Sequence, residues 1–245
     1  MDLCTIKDAN TLEVCVEVWG KYACFTRPEN KVERFTYPCI TPSAARNLLC
    51  TIYFKPIEFY YEVFEIEVIN PIKYINIKKN EIKGKIKVNL NADEDWNTYD
   101  FSLDATSNNK SIGRTQRNTY YLKDVRYRIH AYLKIRPDFK SKNIKAFEHE
   151  FSKRVTNGKC IMQPYLGLSE CLCDFSPPDE NYKVDTSINE YIGPMLYDVF
   201  DITKNIPLDT SPKTNNQNEV LHVRFFDAQI EKGILIIPRW EDINA

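Results

Sequence analysis

The sequence predicts an α+β fold. A ferredoxin-like (RRM-like) domain spans residues 1–175 and carries a long β-ribbon insertion at about 71–117. A small antiparallel β domain over 176–245 follows it. Three observations predict this. Fifteen Tyr and thirteen Phe stand against seven Gly in 245 residues, and aromatic and β-branched residues favour sheet. Alternating apolar and polar positions recur along the chain, the signature of half-buried strands. Two segments with helical spacing interrupt them. The order is strand, helix, strand, insertion, strand, helix, strand, the βαββαβ arrangement.

The elements follow in turn. Leu12, Val14, Val16 and Val18 alternate with Glu13, Cys15 and Glu17, giving a first strand. Residues 20–40 are turn-rich. A helix opens at Thr41, which can cap, with Pro42 at the favoured first position. Ala45, Leu48, Leu49 and Ile52 give it an apolar face, and Pro56 forces an exit. Tyr53 ends it, either as the last packed knob or as a hydroxyl meant for chemistry. Residues 60–68 alternate again as a second strand. Ile82, Ile86, Val88 and Leu90 predict a strand whose other face carries Lys83, Lys85 and Lys87. Residues 91–118 are polar and predict a loop or hairpin tip. Val125, Tyr127, Ile129, Ala131, Leu133 and Ile135 predict a long strand with Arg126, Arg128, His130, Tyr132 and Lys134 opposite. Residues 141–157 predict a second helix with Ile144, Phe147 and Phe151 inward and Gly158 as its stop. Residues 160–167 predict a further strand or extended segment. Residues 177–182 (PPDENY) predict a linker, and residues 220–226 and 229–238 predict two strands able to pair.

Composition narrows the function. The formal net charge is −1, from 33 Lys and Arg against 34 Asp and Glu. A nucleic-acid site therefore requires clustered basic residues. No signal peptide or membrane span is predicted, which places the chain in the cytoplasm. Eight cysteines at this size, without a signal, predict reduced thiols rather than disulfides. Cys171 and Cys173 are spaced C-x-C, no C-x-x-C occurs, and only three histidines are present. No metal site and no cofactor is predicted. The P-loop, Rossmann, zincin and nucleophile-elbow motifs are absent, which disfavours their chemistries.

Basic residues do cluster. Lys83, Lys85 and Lys87 stand on one strand face, roughly 7 Å apart. They read equally as a grip on phosphates or as a solvated face that protects a sheet edge. Arg114, Arg117, Lys123, Arg126 and Arg128 form a second group. Arg27, Lys31, Arg34 and Arg46 form a third, interleaved with Tyr22, Phe25, Phe35 and Tyr37. Arginine beside aromatic rings suits single-stranded RNA.

The segments at 20–56 (GKYACFTRPENKVERFTYPCITPSAARNLLCTIYFKP), 70–82, 114–133 and 158–170 (GKCIMQPYLGLSE) carry a resemblance. In order and content they resemble the type I-C (Dvulg-subtype) members of the fifth Cas family, which process precursor CRISPR RNA. The resemblance implies an RRM-like domain with a C-terminal β domain. It also implies an endoribonuclease that cuts the repeat hairpin at its base without a metal. It implies retention of the 5′ handle of the guide RNA, and assembly with the large and backbone subunits of the type I-C surveillance complex.

The implied chemistry is attack by an RNA 2′-hydroxyl on the adjacent phosphate, leaving a 2′,3′-cyclic phosphate. The family's functional tyrosine, in its I-Y-x-K-P turn, maps onto Tyr53. The family's adjacent Lys-His pair falls on Ala146 and Phe147. Lys145 stands one position early and His149 two positions late. Lys145 and His149 share an i, i+4 spacing, so they form a re-arranged catalytic pair with Tyr53. The alternative is a catalytically weak or inactive subunit that holds the crRNA 5′ handle.

Overall fold

The computed structural model describes residues 3–30, 32–83, 113–199, 202–203 and 224–243. The stretch expected to form a strand around Lys85 and Lys87, the polar stretch from 91 to 112, and Lys31 lie outside the described residues.

α1 (Pro42–Ile52) forms as its residues dictate. The Thr41 hydroxyl accepts a hydrogen bond from the Ala44 N–H at 3.3 Å, and Pro42 occupies the first turn. Ala45, Leu48, Leu49 and Ile52 are buried on one face. The last helical bond runs from the Tyr53 N–H to the Leu49 carbonyl, and Tyr53 itself is extended (φ −146°, ψ 117°). α2 (Ile144–Thr156) starts later than expected, because the Asn143 side chain supplies the cap to the Lys145 N–H. It buries Ile144, Phe147, Phe151 and Val155 and stops before Gly158, at φ +61°.

The strands are β1 (Cys4–Asp8), β2 (Thr11–Ala23), β3 (Arg34–Phe35), β4 (Phe59–Val68), β5 (Tyr74–Ile82) and β6 (Arg114–Ile135). After α2 come β7 (Asp174–Ser176), β8 (Glu190–Asp198), β9 (Arg224–Glu231) and β10 (Ile234–Ile236), with α3 (Trp240–Ile243) last. Among the described residues they form one sheet in the order β1-β2-β6-β4-β10-β9-β8. β7 also pairs with β2, and β3 and β5 pair with β6. All pairings are antiparallel except the short one between β3 and β6. The result is a β-rich α+β fold built on an antiparallel sheet. The expected C-terminal pair is shifted: β9 runs through the break expected at 227–228, the turn falls at Lys232 and Gly233 inside the second expected strand, and β10 hydrogen-bonds onward to β4. No helix of the described residues is long and apolar enough to cross a membrane.

β6 is the spine. Its second half lies between β2 and β4, and its first half pairs with β5 as a two-stranded ribbon. The ribbon strand therefore begins at Arg114, inside the stretch expected to be loop. Asp124, at φ +53°, bends the strand where ribbon becomes sheet. Aspartate is one of the residues that tolerates this conformation, and the Asn70 amide holds its carbonyl at 2.7 Å.

The sheet has two unlike faces. Val14, Val16, Ile129, Ala131, Tyr61 and Ile66 meet Leu49, Ile52, Phe147 and Phe151 of the helices in one core. Each such side chain contributes about 1.5–3 kcal/mol by burial. Phe59 lies edge-on to both Tyr61 and Phe147, at 5.3 and 5.5 Å between ring centres. The opposite face is charged and is crossed by the chain near Asp179 and Tyr182, whose carbonyls accept from Arg128.

Of the two alternatives expected at 160–167, a strand or an extended segment, the structure has the extended segment. Its Leu166 carbonyl accepts from the Cys24 N–H at 3.0 Å. Gly167 closes this contact at φ +85°, and a Cβ there would stand 2.0 Å from the Cys24 carbonyl oxygen. Gly167→Ala is expected to cost about 2 kcal/mol or more. Chemical denaturation checks this, and a loss below half that value would show that the loop can move aside.

Candidate active site

Tyr53 stands where α1 gives way to an extended turn, under α2. It is 4 % exposed. Its ring packs on Phe59 at 5.2 Å, and the Arg154 guanidinium lies 5.4 Å from the ring centre. Its carbonyl accepts the Tyr61 hydroxyl at 2.9 Å. Its own hydroxyl makes no hydrogen bond among the described residues, so a bound molecule can take it. Burial, helped by Glu150 and Glu58 and opposed by Arg154, pushes the phenol up to about 12. It is therefore a neutral donor at physiological pH.

Arg154 is the cation that sequence reasoning missed. Its Nε donates to Glu150 at 2.6 Å and its Nη1 to the Ile52 carbonyl at 3.1 Å, tying α2 to the end of α1. The one available signal was its place beside the Phe147–Phe151 stripe of α2. Lys55 lies over the Phe147 ring at 5.7 Å and faces Glu58 at 3.4 Å. Tyr53 thus sits among two cations and two carboxylates, each carboxylate held by a cation.

Lys145 and His149 occupy the other side of α2. Both are exposed, and no contact among the described residues joins either to Tyr53. Helical geometry explains this. Phe147 and Phe151 fix the inward stripe, and positions two residues from Phe147 turn about 200° away from it. Phe147 itself is only 3 % exposed.

The basic residues expected to bind RNA divide by partner. Arg46 is half-buried, and its guanidinium grips Asp198 of β8 through Nε and Nη2 at 2.6 and 3.2 Å. Arg126 pairs with the fully buried Glu17 and lies 3.6 Å from the Tyr182 ring and 4.6 Å from that of Trp19. These two cations hold the fold together in this conformation. Arg34 and Arg117 clamp Glu81 between them, both at 2.9 Å, near the described end of the ribbon. Arg27 stacks on Tyr37 at 4.6 Å, with Glu29 at 3.8 Å. Arg114 is exposed and makes no ion pair among the described residues. The Lys83 N–H bonds the Gly113 carbonyl, closing the described end of the ribbon.

Beside Arg34 the rings of Tyr74 and Tyr120 stand 5.9 and 5.2 Å from Phe35. Tyr74, Asn76, Lys78 and Asn80 line the exposed face of β5. Half-exposed rings beside amides and a lysine suit unpaired bases and phosphates.

On the charged face, Arg128 bridges Glu67 at 2.6 Å and Glu17 at 3.2 Å, and His130 meets Glu67 at 2.9 Å and Glu65 at 3.7 Å. Glu65, Glu67 and His130 have donor atoms within 4.8 Å of one another, the set among the described residues able to share a metal ion. Burial would raise Glu67, but the His130 hydrogen bond and Arg128 outweigh it and hold the carboxyl below its ordinary range.

An antiparallel sheet backed by two helices, with a long ribbon and a basic, aromatic edge, defines a class already solved. A structure titled "Crystal Structure of CRISPR-associated Protein" matches with a TM-score of 0.60 at 19 % identity, covering 95 % of both chains. Protein SMU1763c of Streptococcus mutans matches equally well, at 16 % identity and TM-score 0.60. These likenesses show that the chain shares their fold. The chain belongs to the Cas5d family, described as CRISPR-associated protein (Cas_Cas5), whose pattern matches residues 13–238. A relative from Thermus thermophilus, named CRISPR pre-crRNA endoribonuclease Cas5d, is 36 % identical over 226 residues, 91 % of this chain and 90 % of its own. One of the same name from Mannheimia succiniciproducens is 30 % identical over 240 residues, 91 % of this chain and 93 % of its own.

Proposed function

We propose that this chain is an endoribonuclease that cuts precursor CRISPR RNA at the base of the repeat hairpin. It then retains the 5′ handle within a surveillance complex, beside the large and backbone subunits. The observation that carries this reading is the 36 % identity, over nine-tenths of both chains, to a protein named for that activity. The sheet order β7-β2-β6-β4 supports a ferredoxin-like reading of residues 1–175, with 176–245 as a β unit continuing the same sheet. Eight free cysteines support a reducing, cytoplasmic setting.

The RNA 2′-hydroxyl gives up its proton to solvent as its oxygen attacks the adjacent phosphorus, and the 5′-oxygen departs and takes up a proton in its place. The products are a 2′,3′-cyclic phosphate and a free 5′-hydroxyl. Tyr53, neutral and with its hydroxyl open, is the group we place at the reacting phosphate as a hydrogen-bond donor. Arg154 and Lys55 supply positive charge for the phosphorane. This chemistry needs no metal, because the nucleophile is already part of the substrate. Incubating the purified protein with the repeat RNA from beside its own gene, in excess EDTA, is expected to give cleavage with a cyclic phosphate end. Intact RNA in EDTA, restored to cutting by a divalent ion, would overturn the metal-independent mechanism.

A second reading has its own support. Lys145 and His149 face away from Tyr53, so the family's pair has no counterpart beside the phenol. On that reading the chain binds the crRNA 5′ handle and cuts slowly or not at all. Tight binding of the repeat with uncut RNA after long incubation, with and without added divalent ions, would favour it.

A further inference from the structure

We propose that the cavity beside the first turns of α1 is a base pocket, holding one unpaired nucleobase of the bound RNA. This rests on the RNA-processing reading above and gives it a second contact point, apart from Tyr53. The cavity has a volume of about 250 Å³. That is below the roughly 300–1,000 Å³ of sites for drug-sized ligands, and it suits a single flat ring system.

Its chemistry fits a base. Phe25, Leu48 and Leu196 make an apolar floor, and Asn47 and Tyr165 stand at the rim. Tyr165 is 43 % exposed, so its ring is open to stacking. The Asn47 amide offers a donor and an acceptor together, as a base edge requires, and makes no hydrogen bond among the described residues. Ser43 adds a further polar group. It is 9 % exposed and lines the cavity, and its hydroxyl also lacks a hydrogen-bond partner among the described residues. That hydroxyl is free to donate to, or accept from, a base edge.

The same helix end is a poor phosphate site. Pro42 has no N–H, and the Ala44 N–H is taken by the Thr41 hydroxyl. Of the first-turn amides only that of Ser43 remains, whereas anion sites at helix ends use several. The wall opposite α1 is preformed, because Gly167 also lines the cavity and is locked against the Cys24 carbonyl. Thr51, at the far end of the lining, precedes Tyr53 by two residues. One RNA strand running along α1, about 1.5 Å per residue, can therefore meet both.

The test uses the full-length protein and its own repeat RNA, synthesised with a single abasic site at each unpaired position in turn. Binding is followed by fluorescence anisotropy for the wild type, Ala44→Phe and Asn47→Ala. Ala44 lines the cavity, so a phenyl ring there fills it. One abasic position is expected to weaken wild-type binding about tenfold, the scale of one stacked base. That penalty should vanish in Ala44→Phe and shrink in Asn47→Ala. Thermal melting reports whether each variant is folded, and if Ala44→Phe is not, Asn47→Ala decides. Wild-type tolerance of every abasic site, or the same penalty in the folded variants, overturns the pocket while leaving RNA processing intact. Failure to bind any form of the repeat overturns both.

Discussion

Tyr53→Phe is expected to slow repeat-RNA cleavage by about 100-fold or more, the scale of one lost hydrogen-bond donor to the developing charge. The substitution removes only the hydroxyl. Packing on Phe59 and the approach of Arg154 involve the ring and survive, so the melting temperature and repeat binding should barely change. Burial, with Glu150 and Glu58 adding to it, keeps the phenol protonated until about pH 12. Cleavage should therefore show no step from Tyr53 ionisation between pH 6 and about 9. Single-turnover rates for Tyr53→Phe and His149→Ala separate the two arrangements of the site. A deficit in the first with full activity in the second fits the geometry around Arg154. If both variants cut at the wild-type rate, neither assignment stands.

Arg128→Met is expected to cost about 3–5 kcal/mol of folding stability, read from urea or thermal denaturation. Arg128 is almost wholly buried and serves four acceptors: Glu67, Glu17 and the carbonyls of Asp179 and Tyr182. Removing the guanidinium leaves two buried carboxylates to face each other across β6. It also releases the segment that crosses the charged face. Arg126 still neutralises part of Glu17, which keeps the loss from exceeding that range. Converting Glu67 to Gln in the same background should recover part of the loss, because an amide is far less costly to bury unpaired. A loss under 1 kcal/mol would mean that this network contributes little in water.

The local elements were legible because short-range rules decide them. Thr41, Pro42, the Ala45–Ile52 spacing and Pro56 act within one or two turns, and α1 formed on those terms. The alternation in β2 and β6 likewise follows from which residues prefer to be buried. β8 escaped notice because Gly193, at φ +76°, and Pro194 interrupt its pattern. Both are tolerated because β8 is the last strand of the path, where one edge needs no partner.

The site was legible only in part. Resemblance pointed to Tyr53, and helix spacing alone put Lys145 and His149 on a shared face. Spacing within one helix cannot say which way that face turns. The burial of Phe147 and Phe151 turned it outward and brought Arg154 to the phenol instead. Arg46 and Arg126 looked like RNA contacts because their carboxylates, Asp198 and Glu17, are 152 and 109 residues away in the chain.

By itself the sequence determined the helices, the alternating strands, the tyrosine at the end of α1 and the family resemblance. Each of these rests on residues close together in the chain. Tertiary structure alone decided which charges neutralise one another, which cation stands over Tyr53 and where a base-sized cavity opens. Those outcomes depend on strand register and helix rotation, which bring together side chains that no local pattern connects.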